Sequence, residues 1–142
     1  MKKIIIIIFL FILCTPSYAF FFKKKEKSSI LLSSSDPRIT LSYDEKIKNE
    51  DIFKNKTRIY FLVHNPEGFK SDYIKYQIFK QDDKAHIGGY SRVRNITKKI
   101  NNKNYYIDYF VLSEPGKYGL QIFDIENLHH WIAFAHFIVV EK

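Results

Sequence analysis

The sequence predicts an all-β protein: a single antiparallel β-sandwich of about seven short strands, preceded by a signal peptide and a short basic, serine-rich tether. Three observations carry the prediction. Short runs with alternating apolar residues recur down the chain, separated by turn residues at intervals of about 8–12 positions. No stretch shows a convincing helical repeat of apolar residues. The 142 residues hold one cysteine, Cys14, so the fold rests on packing and backbone pairing with no disulfide.

At the N-terminus, Met1-Lys2-Lys3 is followed by an apolar run over 4–13 and then by Ser17-Tyr18-Ala19. A basic start, a greasy stretch and small residues one and three positions before a cut are the layout of a secretory signal peptide, here cleaved after Ala19. Two other readings compete with it. Residues 4–22 form a marginal span for an uncleaved anchor, although the lysine excess after it sits on the wrong side for an inward-starting helix. A lipid anchor through Cys14 is the third, with Leu13 standing where a lipobox needs a small residue. The expectation is an exported protein, periplasmic or secreted, membrane-associated if the segment is retained.

Residues 20–37 read as a flexible tether, basic at Lys23, Lys24, Lys25 and Lys27 and then rich in serine, and the folded domain is expected over 38–142. Within the tether, Ile30-Leu31-Leu32 is an alternative edge strand. Ile39, Leu41 and Tyr43 alternate as a first strand. Residues 44–56 are polar, a long loop or one helical turn, with Ile47, Ile52 and Phe53 as their large apolar residues. The second strand covers 58–65, with Ile59, Phe61 and Val63 on one face, and ends at the turn Asn65-Pro66-Glu67-Gly68. The third covers 72–80, with Ile74, Tyr76 and Ile78 on one face. A weaker strand over 85–96 contains Gly88-Gly89, which suggests a bulge. Strands over 105–112, 117–125 and 131–140 follow, separated by Ser113-Glu114-Pro115-Gly116 and by a turn over 126–130.

The stretch Glu114-Pro115-Gly116-Lys117-Tyr118-Gly119-Leu120-Gln121-Ile122-Phe123-Asp124 resembles the entry to the sixth strand of immunoglobulin-like and fibronectin type III-like domains. The resemblance implies that Tyr118 returns its hydroxyl to the preceding corner, the tyrosine corner, while Leu120 and Ile122 point into the core. The chain departs from antibody domains in lacking a cysteine pair and in carrying its one tryptophan, Trp131, on the last strand. This likeness implies a fold and no activity.

Removal of 1–19 leaves 123 residues, enough for one core. The net charge of +8 falls to +6 with loss of Lys2 and Lys3. Lys, Ile, Asn, Phe and Tyr are abundant, as AT-rich coding writes, and the cations are scattered rather than gathered, so no nucleic-acid partner is expected. An anionic membrane surface or polysaccharide could meet Lys23, Lys24, Lys25 and Lys27.

No Gly-x-Ser-x-Gly, His-Glu-x-x-His or phosphate-cradling loop occurs, so a non-catalytic protein without a cofactor is expected. The densest polar cluster is Asp124, Glu126, His129 and His130, which supports a competing reading as a small metal-binding protein or metal-dependent hydrolase. Hairpin turns are ordinarily built of such residues. His64, His86 and His136 lie apart, as packed or surface residues. Asn55 and Asn95 fit the N-glycosylation pattern. On the last strand, Trp131, Ala133, Ala135, Phe137 and Val139 share one face and Ile132, Phe134, His136, Ile138 and Val140 the other. Both faces are apolar, whereas an antiparallel strand with one side in water normally alternates. The cover would be internal, from 30–32 or Ile52-Phe53, or it would be a protein partner or a second copy. The surface for such a partner is drawn from Tyr60, Leu62, Phe123, Trp131, Phe134 and Phe137. Exposed aromatics also suit sugar rings, which keeps a carbohydrate-binding module open. The sequence thus favours an exported interaction or assembly module that binds a protein through a sheet face or edge strand.

Overall fold

The computed structural model describes residues 27–42, 47–82, 84 and 89–142, with the side chains of 40–42 excepted. The signal segment, Lys23, Lys24, Lys25, Tyr43, His86 and Gly88 lie outside them. Among the described residues there are eight strands and one short helix: β1 (Ser29–Ser33), α1 (Pro37–Ser42), β2 (Ile52–Lys54), β3 (Arg58–His64), β4 (Tyr73–Gln81), β5 (Tyr90–Lys99), β6 (Tyr105–Val111), β7 (Gly116–Asp124) and β8 (Ala133–Val140). They form a three-stranded sheet in the order β1-β3-β6 and a five-stranded sheet in the order β2-β8-β7-β4-β5.

Alternation builds the core. Ile59, Phe61 and Val63 of β3 turn inward with Phe110 of β6 and Leu32 of β1. Facing them are Ile74, Tyr76 and Ile78 of β4, Leu120 and Ile122 of β7, and Phe137 and Val139 of β8, all buried. Aromatic rings link the sheets in a chain: Phe53 to Phe137 at 6.0 Å, Phe137 to Phe110 at 5.6 Å, Phe110 to Phe61 at 5.9 Å and Phe61 to Tyr76 at 5.1 Å. The corner expected at Tyr118 is present, its hydroxyl donating to the Glu114 carbonyl at 2.8 Å while its ring stacks on Phe137. Two packed sheets with this corner make the fold an immunoglobulin-like β-sandwich.

Four features differ from the sequence expectation. Ile39 and Leu41, expected to begin a first strand with Tyr43, lie in a helix instead, because Asp36 caps it: its Oδ1 accepts from the Arg38 N–H at 3.0 Å, and Pro37 occupies the first helical position. Ser29–Ser33, inside the expected tether, is a strand antiparallel to β3, so the sandwich begins ahead of residue 38. Ile52–Lys54 is a strand rather than a loop, and it pairs parallel with β8, so the sandwich is mixed rather than purely antiparallel. A bulge lies at Val93, where β4 pairs Ile78 with Arg94 and Phe79 with Arg92, and Gly89, expected within a strand, precedes β5 in the turn with φ +71°.

Along the open side between β5 and β6, Arg94 joins the two sheets by donating to the Val111 carbonyl at 2.7 Å, while within β6 Tyr106 donates to Asp108 at 2.9 Å. Burial, and then the charge of Asp108, holds the Tyr76 hydroxyl above the ordinary phenol range; burial and the hydrogen bond to Asp108 raise Tyr106 in the same direction. Burial also raises Tyr118. A raised folded-state pKa keeps the stabilisation whole below the unfolded tyrosine value near 10 and removes it as pH climbs above. Alkaline titration is therefore expected to show Tyr76 and Tyr106, two of the ten tyrosines, ionising only as the protein unfolds, and Tyr118 ionising later than a free phenol, read from phenolate absorbance and circular dichroism together. The same experiment on Tyr106→Phe is expected to give a shallower loss of stability above that pH.

Candidate interaction surface

Parity along β8 decides which apolar residues meet water. Ala133, Ala135, Phe137 and Val139 point into the sandwich, so Phe134, His136, Ile138 and Val140 point out. The parallel pairing of β2 sets Ile52 beside Ile138 and Lys54 beside Val140, while Phe53 turns inward. Trp131, at the entry to β8, approaches the Phe134 ring at 6.1 Å. Ile52, Trp131, Phe134, Ile138 and Val140 thus form one exposed apolar margin, with Ile52 at 60% and Trp131 at 58% exposure. Phe134 owes its posture to Gly119 on the neighbouring strand. A Cβ at position 119 would stand 3.1 Å from two carbons of the ring, so a side chain there would push the ring aside by a few tenths of an ångström. His136 meets the same ring edge-on at 4.4 Å.

The expected partner surface is corrected accordingly. Trp131 and Phe134 are on the margin. Phe137 is 2% exposed and belongs to the core, because its strand parity matches Val139. Phe123 lies on the outward side of β7 yet is only 8% exposed. Tyr60 and Leu62 face outward from the other sheet, where Tyr60 packs on Tyr109 at 5.6 Å, so they share no surface with Phe134. The internal covers are also displaced: 30–32 sits in the small sheet, and β2 widens the large sheet instead of folding over it. Ile52, as a neighbour of Ile138, was beyond reach of sequence reasoning because a three-residue parallel strand leaves no periodic signal.

The polar cluster dissolves into a structural role. Asp124 is buried, and its Oδ2 accepts from the Lys70 N–H at 2.7 Å and the Ser71 N–H at 3.4 Å while Oδ1 accepts from the Glu126 N–H at 3.2 Å. It ties the loop after β3 to the β7–β8 hairpin. Glu126, His129 and His130 are exposed, and among the described residues no three His, Cys, Asp or Glu side chains gather as ligands for a metal ion. His64 is exposed at the end of β3. A groove at the β4–β5 end, about 670 Å³, is lined by Lys80, Asp82, Lys84, Arg94 and Glu114 among others, but Lys80 and Glu114 satisfy one another at 2.5 Å. Asn55 is buried; its amide donates to the Ser113 carbonyl and accepts from the Lys142 N–H, which leaves the folded side chain no room for a glycan. Asn95 is exposed on β5. Lys27 is exposed, and among the described residues no helix is long and apolar enough to cross a membrane.

No protein-family model and no curated protein sequence matches the chain. Among solved structures it is similar to the PmoD soluble domain from Methylocystis sp. ATCC 49242 (Rockwell), at 13% identity over 80% of this chain and 90% of that one, TM-score 0.48. It is similar to an immunoglobulin-like protein from Pseudomonas aeruginosa, at 10% identity over 82% and 94%, TM-score 0.45. A CARDB domain from Pyrococcus furiosus, solved with di-metal ions, is 15% identical over 82% and 93%, TM-score 0.40. The assignment of the sandwich rests on the strand pairings and the Tyr118 corner of this chain itself.

Proposed function

We propose that this protein is an exported, non-catalytic interaction module, and that the β2–β8 margin of its large sheet takes a protein partner. The observation that carries the reading is the exposed set Ile52, Phe134, Ile138 and Val140, held outward by strand parity and by the parallel pairing of β2 and interrupted only by His136, with Trp131 beside Phe134 at the entry to β8. Fully burying a side chain of this size is worth about 1.5–3 kcal/mol, and these five apolar residues, with Phe134 still 37% exposed and Ile52 60%, have the uncovered share of that left to gain from a cover. The aliphatic members favour an apolar protein surface over a sugar ring, which stacks on aromatics. Export is supported by the Met1-Lys2-Lys3, apolar run and Ser17-Tyr18-Ala19 layout, and the absence of a catalytic role by the structural use of Asp124.

Site-specific photo-crosslinking in the producing cell tests the reading. A photoreactive amino acid in place of Ile138 is expected to give a discrete protein adduct, and one in place of the outward Tyr105 of the small sheet is expected to give none. The neutral pair Ile138→Thr/Val140→Thr, which keeps strand propensity, is expected to fold and to weaken the adduct. No adduct at position 138, or equal adducts at both positions, overturns the proposal.

A further inference from the structure

The outward positions of the large sheet hold no Asp or Glu. From β2 to β5 they read Ile52 and Lys54; Phe134, His136, Ile138 and Val140; Lys117, Gly119, Gln121 and Phe123; Tyr73, Lys75, Gln77, Phe79 and Gln81; Tyr90, Arg92, Asn95, Thr97 and Lys99. Five cations stand among them, and among the described residues carboxylates reach this side from loops at the rim, such as Asp51 and Asp82. The two sides of β4 and β5 treat their cations differently. Inward, Lys80 pairs with Glu114, Arg94 donates to the Val111 carbonyl, and Lys98 lies 4.0 Å from Asp108. Outward, among the described residues, none of Lys54, Lys75, Arg92, Lys99 and Lys117 is in an ion pair, although the charge of Lys99 reaches Asp72 at the rim.

Charged edges that discourage strand pairing are common, but Lys75 and Lys117 lie on β4 and β7, which have neighbours on both sides. Edge protection does not account for them. A second copy of the chain laid face to face would set these cations against themselves, which disfavours self-association through this face. Across the sheet from Phe134, Gln121, Gln77 and Asn95 form a polar row, with Gln77 donating to Asn95 at 3.4 Å; Arg92 and Lys117 lie on one side of it, Lys117 beside Ile138 of the margin, and Lys75 and Lys99 lie on the other. An apolar patch bordered by hydrogen-bonding groups and charge is the anatomy of a protein–protein interface.

We infer that the partner of the β2–β8 margin is a different protein whose contacting surface is rich in carboxylates, and that these lie over Lys75, Lys117, Arg92 and Lys99. The inference rests on the proposed function and adds the chemistry of the partner. Complementary charge of this kind steers encounter, so association weakens as salt shortens the Debye length.

The test uses the full chain and poly-L-glutamate as the acidic probe, with binding mapped by amide chemical shifts. Shifts are expected at Lys75, Arg92, Lys99 and Lys117, with affinity falling about tenfold as salt rises from about 0.05 to about 0.2 M. Lys75→Glu/Lys117→Glu is expected to abolish them, and the milder Lys75→Gln/Lys117→Gln to weaken them if the first variant does not fold. Lys48→Glu/Lys70→Glu, with the same change in net charge away from this face, is expected to bind as the parent does. Absence of shifts, shifts elsewhere, or equal losses in both charge-reversal pairs overturns the inference. So does equal or stronger binding at this face by vesicles of phosphatidylcholine and phosphatidylglycerol, which would identify lipid headgroups as the anion. If poly-L-glutamate fails while position 138 still crosslinks, the acidic partner is lost and the interaction module stands; if position 138 gives no adduct, the module itself is lost.

Discussion

Phe61→Ala is expected to lower the unfolding free energy by about 4 kcal/mol, read as a drop in the denaturant midpoint at nearly constant slope. The ring is fully buried on β3 and lies within 6.0 Å, centroid to centroid, of Tyr76, Tyr106 and Phe110. Removing it costs the transfer energy of the ring and leaves a cavity between two sheets whose backbones are pinned by ladders and cannot close in. Domains of this size hold about 5–15 kcal/mol in total, and with Cys14 as the lone cysteine no covalent bridge makes up the deficit. Tyr60→Ala, one position earlier on the outward face, is expected to cost about 1 kcal/mol, since its half-buried ring rests on Tyr109 alone among the aromatic rings. Equal losses at 60 and 61 would contradict the inward assignment of odd-numbered residues on β3.

Strands with one apolar and one polar face were legible because the sheet has a period of two. On β4, Ile74, Tyr76 and Ile78 alternate with Lys75 and Gln77, and the structure buries the first set. Tyr118 was legible because its role depends on local spacing: the acceptor, the Glu114 carbonyl, is four residues back. What depends on distant partners was not. Ile39 and Leu41 alternate as a strand would, yet Asp36-Pro37 just before them commits the backbone to a helical turn, and a local cap outweighs three alternating residues. β1 owes its existence to the β3 edge and β2 to the β8 edge, contacts that five and three residues cannot advertise. The same limit governed the surface. Residues 131–140 are apolar at both parities, so nothing in them said whether Phe134 or Phe137 faces water; the inward ring contacts of Phe137 with Phe53, Phe110 and Tyr118 decide it.

Asp124→Ala is expected to cost about 2–3 kcal/mol, because it strips the acceptor from three backbone donors, those of Lys70, Ser71 and Glu126, around a carboxylate that is itself buried. A buried donor without a partner carries its whole desolvation penalty, and a bond to a charged acceptor is stronger than one between neutral groups. Asp124→Asn keeps one acceptor oxygen and is expected to recover part of the loss. The competing metal-binding account makes a different set of predictions from the same residues. If Asp124 held an ion with Glu126, His129 and His130, a chelator would lower the melting temperature of the parent and have no effect on Asp124→Ala, and His129→Ala/His130→Ala would destabilise as Asp124→Ala does. With Asp124 acting as a clamp between the loop after β3 and the β7–β8 hairpin, the chelator is expected to leave the parent unchanged. The exposed histidine pair is then expected to shift stability by less than about 0.5 kcal/mol. Thermal unfolding of the parent and these variants, with and without chelator, separates the two accounts in one series, since only a structural carboxylate destabilises on removal while its neighbours and the chelator do not.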